Sequence, residues 1–273
     1  MEDYKNNMVI AIDKKHVLYE IKDNIAFITL NRPEVKNAFS PEMIHLWREC
    51  LEAAKLDNEV RVIIVTGKGD TFSSGGDIKD MADGKLRSWD MKRFVWDGVH
   101  RIILAMEDLD KPVIAAINGA AMGAGLDMAL MCDLRIMSEK AKIAESYINL
   151  GLVPGDGGSY FLPKLINVSK ALELLLTGDV LNAREALELG IVNKVVPHEQ
   201  LMEETVRFAT KIAGKPPLAV RMMKRAVYQS QTSGLRAHLD YISSQLCLLA
   251  ETEDHIEAVN AFLEKRKPVF TGK

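Results

Sequence analysis

The chain has 273 residues, 48% of them hydrophobic and 27% charged, which excludes an intrinsically disordered polymer. A formal net charge of -3, from 35 Lys and Arg against 38 Asp and Glu, argues against a general nucleic-acid binder. The three scattered cysteines, Cys50, Cys132 and Cys247, form no CxxC pair and argue against a disulfide framework or a zinc ribbon.

The N-terminal residues lack the long apolar core of a secretory signal, and no apolar run reaches the roughly 18 residues of a membrane span. The expectation is a cytoplasmic protein that contacts neither membrane nor nucleic acid. Two β-branched runs, Val17–Ile21 and Ile25–Leu30, flank a turn-like Lys22-Asp23-Asn24 and predict a hairpin. Ser40-Pro41 opens a helix, with serine as N-cap and proline at the first helical position. That helix runs to about Leu56, with Met43, Leu46, Trp47, Cys50, Leu51 and Ala54 on one face. Arg61–Thr66 and Lys111–Ile117 predict buried strands, and residues 89–109 between them predict one long amphipathic helix. Gly123–Met131 predicts a helix of small residues, followed by short strands at Asp133–Met137 and Lys142–Ala144. Asn182-Ala183-Arg184-Glu185 has the spacing of a capping box, with Gly190 as the stop and a last strand over Val192–Val196. Strands alternating with helices predict an α/β fold with a largely parallel sheet. The division expected is an α/β core over residues 1–200 and a helical region over 201–273, with no strict internal repeat.

Two Gly-rich turns follow buried strands. They are Phe72-Ser73-Ser74-Gly75-Gly76-Asp77-Ile78-Lys79 and Asn118 through Asp127, NGAAMGAGLD. Residues without bulk let a ligand approach the backbone, and the second turn opens a helix whose free N–H groups favour negative charge. Two such turns facing one another would supply two N–H donors to an oxyanion. Gly123-Ala124-Gly125 also hints at a dinucleotide fingerprint with Glu145 about 20 residues on, but Met128 stands where the third glycine belongs. The six histidines show no ligand spacing, and no metal site is expected.

In order along the chain stand NRPEVKNAFS (31–40), FSSGGDIKDM (72–81), KPVIAAINGAAMGAGLDMALMCD (111–133), GLVPGDGG (151–158), ALELLLTGD (171–179), AREALELGIVNKVV (183–196) and AFLEKRKPVF (261–270). This ordered set resembles the enoyl-CoA hydratase/isomerase family, the crotonase superfamily, from about Tyr19 to Phe270. The resemblance implies a core of ββα units in a superhelix with a C-terminal helical assembly region, forming trimers or dimers of trimers. It implies an acyl-CoA substrate and no separate cofactor, coenzyme A being part of the substrate. It implies an oxyanion hole from the Gly76 and Ala124 N–H groups. It also implies coenzyme A contacts from Arg32, Lys36, Ile78 and Lys79, and from Lys265, which would reach a neighbouring subunit's ligand.

The pattern breaks at the acid-base groups. In the family's well-known hydratases two glutamates hold and activate water. The first matches Asp127, and the second matches Tyr147, a phenol with a pKa near 10 that donates hydrogen bonds well but is a poor base at neutral pH. Asp156, in the loop Pro154-Gly155-Asp156-Gly157-Gly158, is a candidate compensating carboxylate facing Asp127, since two carboxylates in one apolar pocket tend to separate in pKa. The expected activity is hydration or dehydration of an atypical enoyl-CoA, branched or cyclic, by Asp127, Asp156 and Tyr147. Trp89, Phe94 and Trp96 are candidates to line or cap the acyl site, and Met122 to touch it. The alternatives are isomerisation, decarboxylation or ring opening of a β-keto acyl-CoA on the same scaffold and, from another class, a non-catalytic RNA-binding member of the superfamily. Leu201, Val206, Phe208, Ile212, Leu246, Leu248, Leu249, Val259, Phe262 and Leu263 form the expected assembly surface.

Overall fold

A computed structural model describes residues 16–78 and 88–273. Among the described residues ten strands lie in two sheets. β1 (Val17–Lys22), β2 (Ile25–Leu30), β3 (Val62–Gly67), β5 (Val113–Ile117), β7 (Leu134–Ser138) and β10 (Lys194–Val196) make a six-stranded sheet in that order. β4 (Thr71–Ser73), β6 (Ala120–Met122), β8 (Lys142–Ala144) and β9 (Leu181–Asn182) make a four-stranded one. Among the described residues only the hairpin β1–β2 and the pair β8–β9 are antiparallel.

The path alternates between the sheets. β3, β5 and β7 enter the large sheet, and β4, β6 and β8, a few residues later, enter the small one. This structural repeat agrees with the ββα expectation, although the amino-acid sequence carries no strict repeat. β4 is an extra short strand, absent from the sequence reading.

The reason for the burial lies in the period of a strand. Every residue of β3, VIIVTG, is buried, as expected for a parallel strand covered on both faces. Its side chains alternate between two apolar clusters. Ile63 and Val65 join the main core with Trp47, Cys50 and Leu51 of the helix Pro41–Leu56. Val62 and Ile64 join a second cluster with Leu201, Ala209 and Ala213 of the helix Leu201–Ala213. β5 divides the same way, with Val113, Ala115 and Ile117 on the first side and Ile114 and Ala116 on the second.

That second cluster corrects part of the assembly-surface expectation. Leu201 is buried, and Val206, Phe208 and Ile212 pack against the chain's own sheet, because the far face of a parallel sheet needs its own apolar cover. The helices beyond it, Pro217–Ser230, Leu235–Ala250 and Glu253–Leu263, are different. Leu246, Leu248, Val259, Phe262 and Leu263 are exposed, and Phe262 is 83% accessible.

The single helix expected over 89–109 is three helical pieces. Ser88–Arg93 and Leu104's helix, His100–Glu107, flank π-helical turns at Phe94–Val99, an insertion in register that hydrophobic spacing does not announce. The helix opened by Ser40 starts and stops where its residues predict, with the Ser40 hydroxyl accepting from the Met43 N–H. The Asn182 capping box is likewise present.

Candidate active site

The two Gly-rich turns meet. β4 and β6 pair in parallel, so the segments leaving them run side by side. A Cβ on Gly75 would fall 2.8 Å from the Met122 carbonyl oxygen and 3.0 Å from the Ala124 nitrogen. Only glycine permits that contact. Gly123 has φ 50° and ψ -121°, a backbone conformation that costs other residues free energy, and it caps the helix Ala124–Leu130. Ala124 is the first residue of that helix, so its N–H is one of the donors a helix leaves without an internal partner. Gly76 lies beside it, bridged to Phe39. Among the described residues neither amide N–H is spent on an acceptor. Both N–H groups are thus left as donors beside the Gly-rich turns.

Asp127 sits one turn into the same helix and is fully buried. Tyr147 comes from the short 3-10 helix Ser146–Leu150, which follows β8 and is registered against β6 by the Gly123 N–H donating to the Ala144 carbonyl. Asp156 comes from the loop before the helix Gly158–Leu165. These three expected residues converge. Tyr147 Oη lies 2.6 Å from Asp127 Oδ2 and 3.0 Å from Asp156 Oδ2. A phenol has one proton, so it can donate to only one of these oxygens. The second contact is a hydrogen bond only if the other carboxyl is protonated and donates to Oη. With one carboxyl protonated, the trio would form a proton chain that can run in either direction.

The electrostatics agree. Burial raises the Asp127 pKa to about 7, the hydrogen bond from Tyr147 opposes the rise, and the Asp156 charge adds to it. Burial also raises Asp156, against the hydrogen bond from Tyr147 and the nearby His100. Tyr147 is pushed well above the usual phenol range, first by burial and then by Asp127, so it stays protonated. Tyr147 is the partly exposed member of the trio and its ring lies against Gly123, so it is the face the cluster presents to the oxyanion donors.

Glu145 completes the cluster, and the sequence reading missed its place there, considering it only in the rejected dinucleotide pattern. It is 2% exposed, and burial and the Asp127 charge raise its pKa to about 10. Its position two residues before Tyr147, at the end of a predicted strand, was the available signal.

His100 Nε2 donates to the Gly155 carbonyl at 2.7 Å, and the Trp96 ring stacks edge-on against His100 at 5.5 Å. This brings Trp96, half exposed, near the loop that carries Asp156. Trp89 is exposed and carries Lys92 over its ring.

On the other side of the turns lies a cavity of about 580 Å³, lined by Lys36, Asp70, Ser74, Met122, Lys140 and Lys142 among others. Lys36 Nζ is paired with Asp70 at 2.9 Å in the open. Lys140 and Lys142 are cations in this groove that the sequence reading did not single out, and the His198 ring lines it beside them. Arg32 behaves otherwise. Its Nη1 donates to the Ala38 carbonyl at 2.6 Å and its backbone N–H to Asn37 Oδ1, so much of it is used to hold its own loop. Ile78 is exposed, at the edge of the described residues. Lys79 lies outside the described residues. Lys265 ends the last helix with φ 54°, far along the chain from the turns and exposed. Among the described residues no cluster of three His, Cys, Asp or Glu side chains has metal-holding geometry, and no helix is long and apolar enough to cross a membrane.

Comparison with known proteins shows which family the chain resembles. The family model for enoyl-CoA hydratase/isomerase matches residues 20–273. A crotonyl-CoA hydratase of Syntrophomonas wolfei is 37% identical over 262 residues, covering 95% of this chain and 99% of that protein. A 1,2-epoxyphenylacetyl-CoA isomerase of Escherichia coli is 34% identical, covering 94% and 98%. The crystal structure of an enoyl-CoA hydratase from Bacillus anthracis superposes with a TM-score of 0.91 at 33% identity, over 94% of this chain and 100% of that one.

Proposed function

The chain belongs to the enoyl-CoA hydratase/isomerase family, as an enzyme acting on acyl-CoA thioesters, and we propose that its reaction is the reversible hydration of a branched or cyclic enoyl-CoA. The observation that carries this reading is the bridge from Tyr147 Oη to both Asp127 and Asp156, next to two free amide donors.

The thioester oxygen accepts from the Gly76 and Ala124 N–H groups. Water adds at Cβ while Tyr147 takes its proton and passes its own to ionised Asp127. The electron pair moves onto the thioester oxygen as an enolate, whose charge the two donors stabilise. Protonated Asp156 then delivers its proton to Cα. The product state has Asp127 protonated and Asp156 ionised. Transfer through Tyr147 along the same chain restores the start, so protons and charge balance. One neutral and one ionised carboxyl are what an acid-base pair at neutral pH requires. No cofactor beyond the coenzyme A of the substrate enters these steps.

Lys36 and the groove's other cations, Lys140 and Lys142, hold the phosphates of coenzyme A. The apolar side chains of Trp96 and Met122 favour a bulky acyl group. The exposed apolar residues of the last two helices, Phe262 and Leu263 foremost, are covered by further copies of the chain in a trimer or a pair of trimers.

The test is mass spectrometry of straight-chain, branched and cyclic enoyl-CoA thioesters incubated with the protein in deuterated water. The expected result is addition of water, fastest with a branched or cyclic substrate and abolished by Asp127→Asn. Deuterium uptake without addition would replace hydration by isomerisation, a reaction class represented among the relatives by name. Fastest turnover of a straight-chain substrate would reject the acyl preference.

A further inference from the structure

Glu145 has no part in the proton transfers just described, yet it is buried against them. Both of its carboxyl oxygens and Asp127 Oδ1 are buried with no donor in reach when all are written as carboxylates. A buried carboxylate without a donor is among the most costly groups a fold can hold. Asp127 Oδ1 and Glu145 Oε1 crowd the same point above Gly158, where a Cβ would fall 2.3 Å from one and 2.5 Å from the other. Gly158 therefore keeps room for the two oxygens to share. A proton on Glu145 removes the difficulty at once, since it converts one carboxylate into a donor for the other.

We propose that Glu145 is a positioning residue, held as a neutral carboxylic acid, whose O–H donates to Asp127 Oδ1 and makes Asp127 the ionised member of the Asp127–Tyr147–Asp156 chain. With Glu145 donating on one side, Tyr147 on the other and the Asp156 backbone N–H adding a smaller contribution, Asp127 receives hydrogen bonds that favour its charged form. Asp156 receives no such second donor, and its Oδ1 is buried without a partner. The chain is thereby polarised, with Tyr147 donating to Asp127 and the proton residing on Asp156. The 2.6 Å contact to Asp127 against 3.0 Å to Asp156 has the order expected, because bonds to an ionised acceptor are shorter.

The ionisable groups acting on Glu145 are Asp127 from the helix Ala124–Leu130 and Asp156 from the loop ahead of Gly158. Tyr147 follows on its own segment, and His100 stands on the far side of Asp156. Ionising Glu145 would place a second negative charge beside ionised Asp127 in this buried space. That is the physical reason it keeps its proton.

This inference rests on the reading of Asp127 as a member of the acid-base chain, but its test does not need turnover. The protein is prepared with ¹³C-labelled aspartate and glutamate carboxyls and titrated by NMR, as wild type, Glu145→Gln and Glu145→Leu. Glu145→Gln keeps a donor of similar shape, and Glu145→Leu keeps the volume without one. The expected result is a Glu145 signal still protonated at pH 7 in the wild type. An Asp127 midpoint close to wild type is expected in Glu145→Gln and a midpoint raised by about one unit or more in Glu145→Leu, which at neutral pH is roughly a tenfold loss of the ionised form. With crotonyl-CoA as probe, the acid limb of the kcat profile moves by the same amount and KM does not. A wild-type Glu145 ionised at pH 7 overturns the proposal, and this measurement stands even if Glu145→Leu fails to fold. An Asp127 midpoint equal in all three proteins also overturns it. Normal NMR titrations in a protein that turns over no thioester would reject the hydration reading and leave the role of Glu145 intact.

Discussion

Asp70 and Asp127 lie on opposite sides of the same Gly-rich turns, and their surroundings drive them apart. Asp70 is in water beside Lys36, whose hydrogen bonds hold its carboxyl below the usual carboxylate range. Asp127 is sealed among the helix Ala124–Leu130, Tyr147 and Glu145, and burial lifts it to about 7. The open side can attract phosphates with flexible, solvated charges, because a ligand there replaces water by similar contacts. The buried side can hold a proton near neutral pH, because each change of charge is felt through a poorly screening medium. A thioester lying across the turns would have its nucleotide end in the first regime and its reacting carbons in the second.

The largest effect expected on this contrast comes from Tyr147→Phe. It removes the one side chain that, among the described residues, hydrogen-bonds to both carboxyls. The expected loss in kcat is roughly 100- to 10,000-fold, the range of general acid-base catalysis, with coenzyme A binding by calorimetry unchanged. An equal loss in binding would mean that the ring positions the ligand and that the bridge does not carry the proton.

An intermediate effect is expected in stability and its pH dependence. Asp127 and Glu145 have folded-state pKa values above their unfolded ones, so between those values the folded chain keeps protons that the unfolded chain has released. Stability from these groups is complete below about pH 4 and declines as pH rises towards 7 for Asp127 and further towards 10 for Glu145. Thermal unfolding between pH 5 and 9 should show the fall, and a shallower slope should appear in Asp127→Asn. Gly158→Ala places a methyl against both carboxyls and should cost roughly 1–3 kcal/mol, read as a lower Tm. An unchanged Tm in Gly158→Ala would show that the cluster is looser than these distances state.

The smallest effect is expected from Lys36→Ala. Its partner Asp70 is in open solvent, where an ion pair contributes little to folding. Tm should not move measurably, while KM for an acyl-CoA should rise severalfold and the rise should shrink in high salt. A lower Tm with unchanged KM would assign the pair to holding its loop.

Local signals account for much of what was legible in advance. Ser40-Pro41, the Asn182–Glu185 capping box, the all-buried VIIVTG strand and the Gly-rich turns each depend on neighbours within a few residues, and each stands where its residues place it. The π-helical turns at Phe94–Val99 were hidden, since one extra residue per turn leaves the apolar spacing nearly unchanged. The covering of the sheet by Leu201–Ala213 was hidden for another reason. An amphipathic helix has the same pattern whether its apolar face meets its own sheet or another chain. Within the site, Asp127, Tyr147 and Asp156 stood out because they depart from a pattern, whereas Glu145 was read only as part of the rejected dinucleotide fingerprint.

By itself the amino-acid sequence determined most of the elements, the family and the two Gly-rich turns, because strand period, caps and glycine positions act through local chemistry. It also named three of the four acidic groups. Only the tertiary structure decided that Tyr147 Oη joins Asp127 to Asp156 and that Glu145 stands against Asp127 above Gly158. These residues come from a helix, a 3-10 turn and two loop ends separated by up to about 30 positions. Their pKa values depend on burial and on one another's charge, which exist only once the chain has closed around them.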